Sequence, residues 1–222
     1  MPADRLVIAI DGPSGSGKSS TAREVARRLG LGYLDTGAMY RAVAVAFLDA
    51  GVAPSDTAAV IAATTNADIA LSLNPDERWV RVNGRDVTAE IREPRTSANV
   101  STVSTIPECR ADLVARQRAL MDAAPNGVVA EGRDITTVVY PDADLRLLLT
   151  ASPEARLARR EGELGGRVNQ AELRDQVLRR DADDSKLVEF QTAADGVLLL
   201  DTSDLTFDQV VETVIDLAKE RS

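Results

Sequence analysis

The sequence predicts an α/β fold: a five-stranded parallel sheet with helices on both faces, elaborated by a small antiparallel insert and a helical lid. Three observations predict it. Five short apolar runs alternate with segments of helical periodicity, which is the pattern of βαβ units. The first run, LVIAID (6–11), passes directly into the glycine loop GPSGSGKSS (12–20) and then into a helix. Between 68 and 92 the rhythm changes to period two with turn residues between the runs, the mark of antiparallel strands.

Leu6 to Ile10 reads as a buried strand because it is apolar throughout and rich in β-branched residues. After the glycine loop, Ala22, Val25, Ala26 and Leu29 recur at helical spacing, and Gly30 stops the helix. LGYLDTG (31–37) reads as a second strand and a turn, AMYRAVAVAFLDAG as a helix, and SDTAAVIAATTNA (55–67) as another. DIALSL (68–73) and RWVRV (78–82), separated by NPDE and followed by NGR, form the antiparallel patch. Residues 90–124 return to helix. GVVAEG (127–132) and DLRLLLT (144–150) are the third and fourth parallel strands. SPEARLARREGEL (152–164) carries a serine cap, a proline at its first position and an acidic first turn, so it starts a helix. QAELRDQVLRRDADDSKL continues as charged helix, GVLLLDTS (196–203) is the fifth strand, and an amphipathic helix closes the chain. The expected organisation is one domain, with an inserted region over 36–112 and a lid over 153–187.

Composition narrows the function. The 222 residues are 44% hydrophobic and 27% charged, the balance of a globular protein. A net charge of −9 argues against a broad nucleic-acid-binding face, which depends on neutralised phosphates. No histidine is present, which removes the commonest general base and metal ligand. The lone Cys109 excludes an intrachain disulfide, and no stretch approaches the apolar length of a membrane span. A cytoplasmic monomer is expected.

The loop matches G-x-x-x-x-G-K-[ST] at Gly12, Gly17, Lys18 and Ser19. Its glycines let backbone N–H groups turn inward around phosphate oxygens, and the following helix points its positive end at them. Lys18 then reaches the β and γ phosphates of ATP, and the Ser19 hydroxyl is a Mg²⁺ ligand. A GTPase would carry a late Asn-Lys-x-Asp stretch, and none is present. A small chain with no other domain points to a kinase acting on a small molecule.

Arginines supply the acceptor side. Arg41, in LDTGAMYR (34–41), falls near the carboxyl edge of the second strand, where open α/β sheets bind ligands, although a lone helix arginine is ordinarily solvated. In AEGRD (130–134), Glu131 is placed to orient Mg²⁺ and its waters, with Arg133 and Asp134 at the mouth of the site or paired at the surface. Arg156, Arg159 and Arg160 share one helix, and a second cluster holds Arg179, Arg180, Asp181 and Asp184 around glycines that can hinge. A phosphate acceptor is already ionised near neutral pH, so its phosphorylation needs positioning rather than a base. An alcohol acceptor would want a carboxylate such as Asp35 or Asp134.

IDGPSGSGKS, LDTGAMYR, DVTAEIR, RQRAL, EGRDITTVVYPDA and DTSDLT occur in an order that resembles the bacterial cytidylate kinases, P-loop kinases of nucleoside monophosphates, along nearly the whole chain. The resemblance implies ATP- and Mg²⁺-dependent phosphorylation of CMP and dCMP. Gly12, Pro13, Ser14, Gly15, Ser16, Gly17, Lys18, Ser19 and Ser20 would hold ATP, with Arg156 and Arg160. Lys18, Arg133, Arg159 and Arg180 would act at the reacting phosphates, and Ser19 and Glu131 at the metal. Thr36, Arg41 and Arg133 would hold the CMP phosphate, Ser101, Arg110 and Asp134 would read cytosine, and Arg180 and Asp184 would hold the ribose. Asp134 would accept from the cytosine N4 amino group and be left unpaired against O4 of uracil. One departure touches a contact: the family commonly has an arginine two residues past the Asp-Ser pair, where this chain has Leu187 after Lys186.

Overall fold

The computed structural model describes residues 5–164 and 192–221. The predicted lid continuation, with Arg180, Asp184, Lys186 and Leu187, lies outside the described residues. Five strands form one sheet in the order β2-β6-β1-β7-β8: β1 (Leu6–Asp11), β2 (Gly32–Asp35), β6 (Gly127–Gly132), β7 (Leu145–Thr150) and β8 (Leu198–Asp201). A second sheet, antiparallel, orders β3 (Ile69–Leu71), β4 (Val80–Val82) and β5 (Arg85–Asp86). The chain divides into two compact units, one spanning Gly32–Ala124 and the other made by the chain before and after it.

In the unit built from both ends of the chain, β1 is central. It pairs in parallel with β6, Leu6 opposite Gly127 through Asp11 opposite Gly132, and with β7, Ile8 opposite Leu145 through Asp11 opposite Leu148. β7 pairs in parallel with β8. Apart from half-buried Leu6, every residue of β1 and β6 is buried, as expected for strands covered on both faces. The helices α1 (Lys18–Leu29) and α8 (Phe207–Lys219) pack together, burying Val25 and Ala26 from the first and Val210, Val211 and Val214 from the second. Thr206 and Gln209 close a reciprocal capping box on α8. The parallel register brings the carboxyl ends of β1, β6, β7 and β8 to one edge, so residues 12–17, 133–136, 151–152 and 202–206 follow from the same side.

In the Gly32–Ala124 unit, α2 (Thr36–Asp49) lies against the small sheet. Ala38, Ala42 and Val45 pack on Val80, Val82, Val87 and Ile91 in one buried cluster. α2 also meets α3 (Thr57–Asn66) and α5 (Val100–Thr105). Residues 90–124, expected as continuing helix, break into a 3₁₀ turn at Glu90–Arg92, the short α4 (Pro94–Ser97), α5 and α6 (Pro107–Ala123). Prolines explain two of the three breaks: each forces its predecessor into extended backbone and then starts a helix at the first position, as Glu93 and Ile106 show. Arg116 of α6 donates to the carbonyls of Thr64, Thr65 and Ala67, satisfying the open end of α3. Cys109 is buried against the Thr64 hydroxyl at 3.1 Å, and burial pushes its thiol above the ordinary value, which marks a packing residue.

Gly127 opens β6 at φ 102°, and a Cβ there would overlap the backbone of Leu6, its partner on β1. Gly127→Ala is therefore expected to destabilise the protein by about 3 kcal/mol or more, read as a lower denaturant midpoint. An unchanged midpoint would show that β6 can be displaced from β1 at no cost.

Candidate active site

The phosphate-loop motif occupies the junction of β1 and α1, as its sequence requires. Gly17, the residue before α1, has φ 88° and ψ 1°, and Gly15 has φ 77°. A Cβ on Gly12 would overlap the carbonyl oxygen of Leu149, and one on Gly15 would lie 2.9 Å from the Arg156 carbonyl. The loop is thus pressed against β7 and α7 (Pro153–Leu164), and only glycine fits at those two places.

A loop that turns its N–H groups inward directs its carbonyls elsewhere, and buried carbonyls need donors. Each finds one. Arg133 Nη1 donates to the Gly12 carbonyl at 2.7 Å, Lys18 Nζ to Pro13 at 3.3 Å, and Arg156 Nη1 to Ser14 at 3.1 Å. Arg159 Nη1 donates to Ser16 at 3.2 Å, and the Thr202 hydroxyl, which donates to the Thr150 carbonyl at 2.9 Å, lies 3.3 Å from the same Ser16 oxygen. Arg159 is itself held by Thr202, whose hydroxyl accepts from Nη1 at 2.8 Å and whose carbonyl accepts from Nη2. Arg156 and Arg159 sit one turn apart on α7, which starts where the sequence indicates. The Ser152 hydroxyl accepts from the Ala155 N–H, and Ser152 N donates to Ser203 Oγ.

Ser19, on the first turn of α1, donates its hydroxyl proton to Glu131 Oε1 at 2.7 Å. Glu131 is buried at the end of β6. A hydroxyl paired with a carboxylate is a donor set of hard oxygens, which suits Mg²⁺, an ion held by one or two protein oxygens together with phosphates and waters. Among the described residues, no group of three or more Asp, Glu, Cys or His side chains is placed to hold a metal ion.

Beyond β6 the chain makes a five-residue π-type turn, Ile135–Val139, that the strand–helix reading did not foresee. Asp134 precedes it, buried, with its carbonyl accepting from Val138 and Val139. Asp11, the last residue of β1, holds this turn: Oδ1 accepts from Ile135 N at 2.8 Å, and Oδ2 from Thr136 N at 2.8 Å and Thr136 Oγ1 at 2.6 Å. Burial pushes the Asp11 carboxyl up from 3.8 to about 6, against the three hydrogen bonds, which lower it; Asp134 raises it further.

A cleft of about 210 Å³ adjoins the loop, lined by Gly17, Ser20, Arg159, Leu205, Phe207 and Val210 among others. Thr202, Leu205 and Phe207 escaped the sequence reading, which took DTSDLT only as a family landmark. The half-exposed Phe207 at the start of an amphipathic helix was the available signal.

In the Gly32–Ala124 unit, Asp35 caps α2 by accepting from the Ala38 N–H at 2.9 Å. Thr36 is buried in the first turn, and Arg41 Nη1 would lie 3.3 Å from a Cβ on Gly37, so these residues gather at one helix start. Ser101 is exposed on α5, and Arg110 lies in the first turn of α6. Thr36, Arg41, Ser101 and Arg110 thus belong to one unit, and Arg133 and Asp134 to the other.

Because the native state binds a proton at Asp11 more tightly than the unfolded chain does, this residue's contribution to stability is largest below pH 4 and falls as pH rises through 6. Relative to Asp11→Asn, the protein should lose on the order of 3 kcal/mol between pH 4 and pH 7. Denaturant titrations of both proteins over that range check it; parallel profiles would contradict it.

The sequence model of the family described as cytidylate kinase matches residues 8–220. A cytidylate kinase of Cutibacterium acnes is 51% identical over 221 residues, covering 98% of this chain and 97% of that protein. Those of Streptomyces avermitilis and Corynebacterium glutamicum are 48% and 47% identical, covering 97% and 99% of this chain and 94% and 96% of theirs. With a glycine loop, a Ser19–Glu131 pair and a buried Asp134 in place on this sheet, the chain belongs to the cytidylate kinase family.

Proposed function

We propose that this protein transfers the γ-phosphoryl group of ATP to CMP and dCMP, giving CDP and dCDP. The observation that carries the reading is the braced glycine loop beside the Ser19–Glu131 pair, in a chain of this family. Residues 12–20 cradle the ATP phosphates, with Lys18 on the β and γ groups. The cleft with Phe207, Leu205 and Arg159 takes the adenine, an apolar and cationic surface suited to a flat aromatic ring. Arg156 and Arg159 act on ATP through the loop carbonyls they hold, with Arg160 and Arg180 assigned to the transferring phosphate. Ser19 and Glu131 would hold Mg²⁺, which supplies charge neutralisation at the phosphate oxygens when bound.

Thr36, Arg41 and Arg133 hold the acceptor phosphate, and Arg180 and Asp184 the ribose. Ser101, Arg110 and Asp134 read the base, Asp134 accepting from the N4 amino group. The acceptor phosphate is a dianion near neutral pH, since its second pKa is about 6, so no base is required. Arginine charge and exclusion of water supply the catalysis. The setting we assign is the cytoplasm and the state a monomer, in keeping with the acidic balance of −9 and the buried lone cysteine; among the described residues, no helix is long and apolar enough to cross a membrane.

A coupled ADP-release assay with Mg·ATP tests this. CMP and dCMP should turn over with kcat/KM at least about tenfold above UMP, and Asp134→Ala should shrink that gap. Lys18→Met should lower kcat by about 100-fold or more. Silence on CMP and dCMP would overturn the reading.

A further inference from the structure

Asp11 is buried, and its carboxylate accepts three hydrogen bonds of 2.6–2.8 Å, none of them from a residue assigned to a phosphate or a base. All three end on residues 135 and 136, immediately after Asp134. The neighbouring Gly12 carbonyl accepts from Arg133, immediately before Asp134. On the far side, the Thr136 carbonyl accepts from Arg146 Nη1 at 3.2 Å, and the Asp134 carbonyl is taken by Val138 and Val139. Asp134 is therefore pinned from both sides by two consecutive residues of the strand end that launches the phosphate loop.

We propose that Asp11 is a positioning residue for base selection: its carboxylate, by gripping Ile135 and Thr136, sets the direction in which Asp134 meets the nucleobase. The proposal rests on the reading that Asp134 reads cytosine. The chemistry of the tether is specific. Each oxygen is used only as an acceptor, one by a single N–H and the other by an N–H and an O–H. A side-chain amide has one acceptor oxygen and one NH₂ group, so Asn at this place must set a donor against a donor in either orientation. The π-type turn then loses its anchor, and Asp134 drifts with it. A small displacement is enough, since discrimination between an amino group and a carbonyl depends on hydrogen-bond geometry.

The test measures kcat/KM for CMP and for UMP, and KM for ATP, in the parent protein and in Asp11→Asn, Thr136→Val and Thr136→Ser. Thr136→Val removes one of the three donors without touching the carboxylate, and serves if Asp11→Asn does not fold. Thr136→Ser keeps the hydroxyl. The expected result is a CMP-to-UMP ratio reduced about tenfold in Asp11→Asn, about threefold in Thr136→Val, and restored in Thr136→Ser. The KM for ATP should stay within about twofold in both Thr136 variants. A general weakening of the fold would lower both nucleotides together and leave the ratio unmoved. A parent ratio above ten that persists in Asp11→Asn, or in Thr136→Val where Asp11→Asn does not fold, overturns the proposal while leaving the base reading intact. A parent protein that does not discriminate CMP from UMP overturns the base reading itself, and the tether with it.

Discussion

A phosphate-binding loop has two sides, and the arrangement depends on the one that ligands never touch. Pointing successive N–H groups into a cradle sends the carbonyls of Gly12, Ser14 and Ser16 the other way, into protein. Left without donors there, each would cost about 1–3 kcal/mol and the loop would relax. Three guanidinium groups from two places on the sheet's carboxyl edge prevent this: Arg133 after β6, and Arg156 and Arg159 on α7. Arginine suits the task because its planar fork can reach a carbonyl and keep other N–H groups for other partners, as Arg159 does with Thr202.

The parallel sheet makes this convergence possible. Adjacent parallel strands end at the same level, so loops separated by more than 120 residues meet over β1. Asp11 and Gly12 use that meeting twice, holding the Asp134 turn with the carboxylate of one and the carbonyl of the other. The glycine loop and the Asp134 turn are thereby one connected piece of structure, with rigidity coming from strands rather than from the loops themselves.

Much of this was legible beforehand, and the parts that were not share a cause. Apolar runs located β1, β6, β7 and β8 to within two residues at either end, and Ser152 with Pro153 located the start of α7, because strands and caps are written in local pattern. The glycine loop was legible because its geometry admits few residue types. The two-residue strand β5 has too few residues to show an alternating pattern, and Asn83 and Gly84 before it signal only a turn. Asp11, Thr136, Thr202 and the capping role of Arg116 left no local trace: each acts on residues from about 50 to more than 120 positions away, and only the fold brings those together. The charge of Arg156 and Arg159 is legible and points toward phosphate, while their hydrogen bonds to the Ser14 and Ser16 carbonyls depend on the fold and leave no trace in the sequence.

We propose that Arg156, which donates to the Ser14 carbonyl, serves ATP through the loop rather than by touching its terminal phosphate. Calorimetric titration of Arg156→Met with ATP and with ADP separates the two. The account predicts that both nucleotides weaken by a similar factor, about tenfold, because both rest their β-phosphate in the same cradle. Weakening confined to ATP, or wild-type affinity for both, would contradict it.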